Sequence, residues 1–306
     1  MLFDGNAIVH RAFHALPALT VSKTGEVVGA VFGFASILLK VINELKPSHY
    51  AIAFDRAAPT FRHEMFAEYK AHRPKTPDEL INQLVRVRQL VATLGMPIIE
   101  LDGYEADDVL GTLSRQAGEL DMETIIVTSD ADAMQLVAPE VKVLCPKPKG
   151  RFSDTTLYDA AAVIQRYGVT PTQITDLKGL VGDASDNISG VPNVGAITAH
   201  KLLKQFGDIE QIYAHLDEVS PDRIKNILRE NEGIARESKK LATIVTDAPV
   251  KLEPEQCRVS HFDRNQVMEL FRELNFASLI PRLPEIVGNE AGAVPVSHPQ
   301  QMIMDF

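Results

Sequence analysis

The chain has 306 residues, of which 45% are hydrophobic and 24% charged, and its formal net charge is −10. This length allows one large domain or two, and the composition is ordinary for a globular protein. No apolar run approaches the ~20 residues of a membrane-spanning helix, and the N-terminus lacks the basic and apolar segments of a secretory signal. The two cysteines, Cys145 and Cys257, lie far apart and predict a reducing, cytoplasmic environment without a disulfide.

Strands and helices alternate in the first half of the chain, which predicts an α/β fold with a mainly parallel central sheet. Strands are predicted to end at residue 4 and to span 49–55, 97–101, 123–130 and 141–145. Helices are predicted at 7–16, 30–45, 80–94 and from residue 105 onward, with residues 5–6 as a turn. The helix at 30–45 is apolar almost all round and is therefore expected to be buried.

Three carboxylates, Glu105, Asp107 and Asp108, fall within four residues where a predicted strand gives way to a helix. A helix start tolerates acids, because its free N–H groups favour negative charge. Three acids beside apolar runs repel one another, however, and a bound cation would relieve that repulsion. A ligand set made only of oxygen atoms favours Mg²⁺ or Mn²⁺ over zinc.

Other predicted strands also end on carboxylates, namely Asp4, Asp55 and Asp130, with Asp132 two residues beyond the last of these. Ligands of parallel α/β sheets bind beyond the carboxyl ends of the strands. The sequence therefore predicts that these acids meet the Glu105 group at one edge of the sheet and hold metal there. His10 and His14, spaced i, i+4, lack an evident third ligand and are interpreted as ordinary helix-face residues.

Residues 56–88 carry a local positive surplus, with seven basic residues against four acids. Three aromatic residues, Phe61, Phe66 and Tyr69, are interleaved among them. Basic groups neutralise phosphates and aromatic faces stack on bases, so the stretch favours a nucleic-acid contact. The alternative is a pair of solvated amphipathic helices. The overall net charge is a weak objection, since carboxylates gathered around metal count toward it without repelling DNA.

The second half of the chain is predicted to be helical. The expected helices span 156–167, 171–180, 196–206, 209–216, 221–231, 234–245 and 262–276. Asp183 and Asp186 add two acids at a turn, and a glycine-containing turn from Gly190 to Gly195 precedes the helix at 196–206. Backbone N–H groups at such a turn and helix start provide a site for a DNA phosphate. From residue 288 the composition is typical of a flexible linker.

These features resemble the 5′ nuclease (flap endonuclease, 5′→3′ exonuclease) domain at the N-terminus of bacterial DNA polymerase I, over about residues 1–286. The matching motifs are Leu2-Phe-Asp-Gly5 with Arg11-Ala-Phe-His14, Phe54-Asp55, Thr60-Phe-Arg62, Tyr69-Lys-Ala-His-Arg73, Glu105-Ala-Asp-Asp108, Ser129-Asp-Ala-Asp132 with Gln135-Leu136, and Gly182-Asp-Ala-Ser-Asp-Asn187 through Gly195. The resemblance implies a PIN-like α/β nuclease domain at 1–165 with a basic helical arch at about 56–88. It further implies a helical subdomain with a helix-hairpin-helix motif at 166–286 and a flexible tail at 287–306.

The resemblance also implies roles for individual residues. Two Mg²⁺ ions, for which Mn²⁺ substitutes, are expected, the first held by Asp4, Asp55, Glu105 and Asp107 and the second by Asp107, Asp130, Asp132 and Asp183. Asp108 and Asp186 are expected to support them from the outer shell. Lys70 and Arg73 are expected on the scissile phosphate, assisted by Arg56 and Arg62, with Tyr69 stacking on a terminal base. The duplex backbone is assigned to Gly190, Val191, Gly195, Thr198, Lys201 and Lys204, with a monovalent cation at the helix-hairpin-helix turn.

Four positions depart from the family pattern. The family usually has glycine and lysine where Ser129 and Ala131 stand, proline in place of Ser189, and often glycine in place of Asn193. None of these departures removes a carboxylate. The expected reaction is hydrolysis of a phosphodiester near the 5′ end of a flap or nicked strand, with a DNA or RNA 5′ strand.

Two other classes of function remain open from the sequence. One is a different magnesium-dependent phosphohydrolase built around Asp130 and Asp132, although a small substrate would need neither the basic stretch nor the Gly190–Gly195 turn. The other is a DNA-binding protein without chemistry, although bare carboxylates would repel DNA.

The last six residues, Gln301-Met-Ile-Met-Asp-Phe306, also have two interpretations. They resemble the short peptide with which bacterial replication proteins bind the sliding clamp, because an extended peptide would present alternate apolar side chains to one groove. Alternatively, they are the point at which a longer chain, continuing into a polymerase domain, has been cut.

Overall fold

The computed structural model describes residues 1–147, 152, 154–259 and 262–284, so that the clamp-peptide prediction for Gln301–Phe306 lies outside the described residues. A six-stranded sheet has the strand order β3-β2-β1-β4-β5-β6. Its strands are β1 (Leu2–Asp4), β2 (Ala51–Ala53), β3 (Ile98–Ile99), β4 (Thr124–Val127), β5 (Val141–Pro146) and β6 (Thr155–Tyr158). The first five strands are parallel and β6 is antiparallel to β5. The prediction of a mainly parallel sheet flanked by helices is confirmed.

Helices surround this sheet and form most of the second half of the described chain. They are α1 (Gly5–Ala15), α2 (Gly29–Leu45), α3 (Phe61–Met65), α4 (Asp78–Thr93), α5 (Ala106–Gly118), α6 (Ala160–Tyr167), α7 (Ile174–Val181), α8 (Ala196–Phe206), α9 (Ile209–Ala214), α10 (Asp222–Glu230), α11 (Glu232–Ala242), α12 (Pro254–Cys257) and α13 (Arg264–Glu273). Short 3₁₀ segments lie at Asp132–Leu136, Pro171–Gln173, Leu216–Glu218 and Ala277–Arg282. None of the helices within the described ranges is long and apolar enough to cross a membrane.

The two faces of the sheet are covered by different helices, as the alternation of side chains along each strand requires. Phe3, Ile52 and Val127 point into a core formed with α1, α2, α4 and α13. Their neighbours Leu2, Ala51 and Ile126 point to the opposite face, where α5 and the helices beyond residue 160 pack. The helix α2 is buried along most of its length, as its sequence predicts.

The turn predicted at residues 5–6 is wrong, because α1 begins directly after β1. The Asp4 carboxylate caps this helix by accepting a hydrogen bond from the Ala7 amide at 2.9 Å. Gly5 permits the abrupt change, since a Cβ atom at this position would lie 2.3 Å from the ring of Phe54. Asp4 is thereby fixed at the junction of strand and helix.

The helix predicted at 156–167 begins too early in the sequence. Residues 155–158 instead form β6, which pairs with β5 at the edge of the sheet. Two threonines and a tyrosine favour an extended strand, and Asp159 then caps α6 by accepting from the Ala162 amide at 2.9 Å. The helix-capping residue Asp159 therefore lies three residues after the predicted start.

The connection between α7 and α8 forms the predicted hairpin. Gly190 adopts a positive φ of 65°, and a Cβ atom here would lie 2.2 Å from the Gly182 backbone nitrogen, so only glycine fits. Asn193, the departure from a frequent glycine, has a φ of 62°. Asparagine tolerates this left-handed conformation better than most residues, which explains how the hairpin keeps its shape.

Candidate metal centre and nucleic-acid interface

The carboxylates gather where the strand order changes direction. The chain leaves β1 for β2 on one side, whereas β4 pairs with β1 on the other, and such a switch point opens a crevice at the carboxyl ends of the strands. Asp4 is the last residue of β1 and lies level with Ala53 of β2. Asp55 follows two residues after Ala53, and Asp130 follows three residues after Val127 of β4. The sheet thus brings these acids to one edge, as predicted.

A first group of carboxylates, the cavity group, lines an open cavity of about 620 Å³. Its members are Asp4, Asp55, Glu105, Asp107 and Asp130. Local hydrogen bonds orient most of them: the Thr128 hydroxyl donates to Asp4 at 2.6 Å, the Ala106 amide to Asp55 at 2.7 Å, and the Asp132 amide to Asp130 at 2.8 Å. The cavity walls also include His10, Arg11 and His14 of α1. Because α1 begins directly after Asp4, their i, i+1, i+4 spacing could have predicted that they face the same cavity.

Asp107 is the least compensated member of the cavity group. None of the described residues donates a hydrogen bond to its carboxylate. Burial, followed by the charges of Asp130, Asp4 and Asp132, raises the pKa of Asp107 well above its ordinary value. Burial likewise raises the pKa of Asp4 to about 7, although the hydrogen bond from Thr128 opposes the shift. Crowding of this kind is relieved by a cation.

A second group, the hairpin group, consists of Asp132, Asp183 and Asp186. One carboxylate oxygen from each residue lies within 4.8 Å of the other two. Asp132 comes from the 3₁₀ segment after β4, whereas Asp183 and Asp186 come from the turn after α7. Asp186, which was predicted in the outer shell, lies beside Asp132 and Asp183, and its two oxygens accept hydrogen bonds from Tyr69 and Arg73. Burial and the neighbouring Asp130 raise the pKa of Asp132 to about 6.

A lysine that the sequence analysis did not single out lies within the hairpin group. The ammonium of Lys178, on α7, contacts Asp132 and lies 2.5 Å from Asp183. Burial raises the pKa of Asp183, but the hydrogen bonds from Lys178 and Ser185 outweigh it and hold the pKa below its usual range. The spacing of Lys178 five residues before Asp183 was visible in the sequence, but its approach to Asp132 depends on how α7 packs.

Lys70 and Arg73, the predicted phosphate-binding cations, join the two groups. The Lys70 ammonium lies 2.7 Å from Glu105 of the cavity group and 3.7 Å from Asp186 of the hairpin group. Arg73 lies 2.5 Å from Asp186. Both side chains line the cavity.

Two predicted DNA contacts, Arg62 and Tyr69, are corrected by the structure, because only 2% of each residue is exposed. Arg62 makes two hydrogen bonds to Asp108, at 2.7 and 2.8 Å. The hydroxyl of Tyr69 lies 3.1 Å from both Glu105 and Asp186, so its ring is not available to stack on a base. Both residues position the acids instead.

Asp108, which was predicted to support the metals from the outer shell, is fully buried and exposes no oxygen to the cavity. Besides Arg62, the backbone amides of Val245 and Glu105 donate to it, at 2.8 and 3.0 Å. A buried charge with this many partners is a structural ion pair that fixes the start of α5. Asp107, on the same turn, therefore faces the cavity from a rigid support.

The remaining predicted DNA contacts occupy two surfaces. Arg56 is exposed and pairs with Asp102 at 2.6 Å. In the turn before α8, Gly195 is exposed, whereas Gly190 and Val191 are buried and therefore shape the turn. On α8 itself, Lys201 and Lys204 are exposed and Thr198 is half-buried. The free N–H groups at the start of α8 are suited to a phosphate. Lys201 lies in the middle of this helix and Lys204 in its last turn.

The donor set fits divalent ions of the magnesium class. Both groups offer carboxylate oxygens, which Mg²⁺ and Mn²⁺ prefer, and Asp107 faces other acids without a hydrogen-bond donor among the described residues. Asp4, Asp55, Glu105, Asp107 and Asp130 would hold one ion in the cavity group. Asp132, Asp183 and Asp186 would hold a second in the hairpin group.

The raised carboxyl pKa values predict how pH affects the metal-free protein. The folded state retains protons that the unfolded state, with carboxyl pKa values near 3.8, has released. Stability in EDTA should therefore fall as the pH rises from about 4 to about 7. We expect a lower Tm at pH 7.5 than at pH 5.5 in EDTA, and a Mg²⁺-induced increase in Tm that is larger at pH 7.5.

The Asp107→Asn variant provides the control for this measurement. Groups elsewhere in the chain affect the Tm of both proteins equally, so the difference in Tm between them reports Asp107 alone. It should show a shallower decrease of Tm with pH. Parallel curves for the two proteins would mean that the crowded carboxylates do not govern the pH dependence.

The fold and site together define a class: a parallel α/β domain with a carboxylate-rich crevice, followed by a helical region with a basic hairpin. Residues 1–168 match the family described as 5′-3′ exonuclease, N-terminal resolvase-like domain, and residues 169–265 match 5′-3′ exonuclease, C-terminal SAM fold. The chain therefore belongs to the 5′-3′ exonuclease family.

Relatives and solved structures agree with this assignment. DNA polymerase I of Chloroflexus aurantiacus is 47% identical over 292 residues, which are 94% of this chain and 31% of the relative. DNA polymerase I of Bacillus subtilis is 44% identical over 285 residues, 93% of this chain and 32% of the relative. The chain thus spans about a third of the length of these relatives.

Two solved structures share the fold. The T5 5′-exonuclease with bound divalent zinc ions has a TM-score of 0.67 at 19% identity, covering 92% of this chain and 98% of its own. The catalytic core of Rad2 in complex with a DNA substrate has a TM-score of 0.59 at 16% identity, covering 92% and 91% respectively. At these identities the likeness shows the fold alone.

Proposed function

We propose that this chain is a structure-specific 5′ nuclease that hydrolyses phosphodiester bonds at 5′ flaps or nicks with two divalent metal ions. The observation that carries the proposal is the meeting of the cavity group and the hairpin group at the sheet edge, with Lys70 and Arg73 between them. Family membership supports the reaction class. The metal-bound T5 enzyme and the DNA-bound Rad2 core support divalent ions and DNA as ligands.

The chemistry divides between the metals and the chain. Bound divalent ions would activate a water molecule and neutralise the attacking and leaving oxygens of the displacement. Lys70 and Arg73 would leave Glu105 and Asp186 to contact the scissile phosphate, which gathers negative charge in the transition state. Tyr69, which holds Glu105 and Asp186, would keep the two groups of acids in register.

The cavity also separates this function from the alternatives. The cavity is lined by α1 and by Lys70 and Arg73, which also reach Asp186 in the turn after α7. A polymeric substrate fits this arrangement better than a small phosphate ester. The test is a labelled 5′-flap duplex incubated with Mg²⁺ and, separately, with EDTA, beside a small phosphate ester. Flap cleavage that requires Mg²⁺ is expected. Hydrolysis of the ester alone would favour a small-molecule phosphohydrolase, and metal-dependent binding without cleavage would favour a DNA-binding protein.

The hairpin is proposed to hold the duplex. Lys201→Ala and Lys204→Ala should each weaken binding of flap DNA and reduce the slope of log affinity against log salt by about 0.9, because each loses one phosphate contact. Fluorescence anisotropy in Ca²⁺ at several salt concentrations measures both quantities. Lys251→Ala, at an exposed lysine outside the hairpin that pairs with Glu253, is the matched control. Slopes equal to that of the unmodified chain would assign the hairpin a purely structural role.

The biological setting is proposed from the relatives. Since they are about three times as long, a polymerase domain that follows this region would place the nuclease beside DNA synthesis, where RNA-primer removal and DNA repair require 5′ cleavage. A sliding-clamp contact through Gln301–Phe306 and a monovalent cation at the hairpin stay predictions.

A further inference from the structure

Lys178 differs from the other cations at the acid groups in where it comes from. Lys70 and Arg73 belong to the segment between α3 and α4, whereas Lys178 belongs to the middle of α7, the helix that leads into Asp183. Its side chain is 17% exposed, and its ammonium contacts both Asp132 and Asp183. The backbone of α7 therefore fixes a positive charge within reach of two of the three acids in the hairpin group.

The contacts of these acids show why this charge matters. The Oδ1 atom of Asp183 accepts hydrogen bonds from the amide and hydroxyl of Ser185, at 2.8 and 2.6 Å, and Lys178 donates to the Oδ2 atom. Both oxygens of Asp183 thus have partners. A divalent ion that uses Asp183 and Asp132 together must displace the Lys178 ammonium or share an oxygen with it.

We propose that Lys178 is a positioning residue that competes with a divalent ion for Asp132 and Asp183 and thereby lowers the affinity of the hairpin-group site. The inference rests on the proposed function in that it takes this group as the second metal site. Because α7 holds the lysine in place, the displaced ammonium stays close and keeps repelling the ion. The second site therefore fills at a higher ion concentration than the cavity group does.

A purely structural role for Lys178 makes a different prediction. If the ammonium only ties the 3₁₀ segment at Asp132–Leu136 to the turn after α7, its loss would loosen the hairpin group and weaken ion binding. If the ammonium competes, its loss strengthens ion binding. The direction of the change in affinity separates the two roles.

The experiment is a Mn²⁺ titration of the full chain without DNA at pH 7.5, with free Mn²⁺ measured by electron paramagnetic resonance. Lys178→Met keeps most of the apolar stem and removes the charge. We expect the weaker of two sites to bind Mn²⁺ about tenfold more tightly in this variant, since a unit charge about 5 Å from a divalent ion is worth that much even in water-like surroundings. Lys178→Arg, which keeps the charge, should leave the affinity near that of the unmodified chain.

Lys239→Met is the matched control. Lys239 also bridges two acids, Asp176 at 2.7 Å and Glu210 at 2.6 Å, and is similarly buried, but it contacts neither acid group. Its loss should leave Mn²⁺ affinity unchanged. Lys178→Gln gives the same test if the methionine variant does not fold.

The outcomes distinguish this inference from the proposed function. Two sites of unchanged or weakened affinity in the folded Lys178→Met and Lys178→Gln variants would overturn the role of Lys178 and leave the two-metal proposal standing. A single Mn²⁺ site in every variant would overturn both. A second site that appears only when the charge is removed would support the inference.

Discussion

Replacing Asp107 by alanine is expected to abolish cleavage of a 5′-flap duplex in Mg²⁺, while binding of the same duplex in Ca²⁺ changes little. Asp107 lies between the other acids of the cavity group, and none of the described residues donates a hydrogen bond to it. We propose that Asp107 binds the metal ions, whereas Lys70, Arg73 and the hairpin contact the DNA backbone. Single-turnover cleavage and fluorescence anisotropy measure the two quantities separately.

The same substitution should stabilise the metal-free protein. Burial and four neighbouring acids raise the pKa of Asp107, which means that its charge opposes folding at neutral pH. Removing that charge should raise the Tm in EDTA at pH 7.5 and reduce the further increase produced by Mg²⁺. A stability cost at a functional carboxylate, repaid when metal binds, is typical of sites built for a ligand.

Asp222→Ala is the control for Asp107→Ala, because Asp222 is an exposed acid that pairs with Lys225 outside both groups. It should cleave at the rate of the unmodified chain. If a well-folded Asp107→Ala protein lost DNA binding and cleavage to the same extent, the division of labour between acids and cations would be wrong. Retained cleavage would remove Asp107 from the metal site.

The sequence predicted the acid-bearing edge of the sheet because that edge depends on local signals. Asp4, Asp55 and Asp130 each follow a short apolar run, and the rule for parallel sheets then places them together without knowledge of side-chain packing. The strand β6 was missed because the helix predicted at 156–167 included three of its four residues. β5 ends at Pro146 and β6 begins at Thr155, so the two strands are close in sequence and pair antiparallel. The error arose because β6 leads almost directly into α6, which begins at Ala160.

The two wrong predictions of DNA contact have a common cause. An arginine or tyrosine side chain can face solvent or be buried against a carboxylate, and its residue type does not decide between the two. Arg62 is 46 positions from Asp108, and Tyr69 is 117 positions from Asp186. Composition places both residues in a basic, aromatic stretch and therefore predicts DNA contact. Their burial depends on how α3 and the following segment pack against α5 and α11, which no pattern within residues 56–88 reveals. The bridge from Lys178 to Asp132 was missed for the same reason.

Replacing Lys70 by methionine is expected to lower the cleavage rate at saturating flap DNA by a factor on the order of 10²–10³, the usual effect of losing one preorganised group at a developing charge. Lys70 lies in the basic stretch at 56–88, but its side chain is only 19% exposed and pairs with Glu105. Methionine keeps the apolar stem, so the change in rate reports the ammonium. Single-turnover kinetics at two saturating DNA concentrations separates this loss from a loss of binding.

Lys46→Met is the matched control, because Lys46 is also a lysine with a left-handed backbone, φ 44° against 55° for Lys70. It precedes β2 and therefore lies at the opposite edge of the sheet from Asp55. Both variants carry the same change in charge and the same methionine at a positive φ, so any shared effect belongs to stability. A rate for Lys70→Met equal to that of Lys46→Met would show that Lys70 serves only as a counterion for Glu105. A loss of rate in Lys70→Met alone, with unchanged DNA binding, would place the ammonium on the reacting phosphate. Lys70 would then have to leave Glu105 before cleavage.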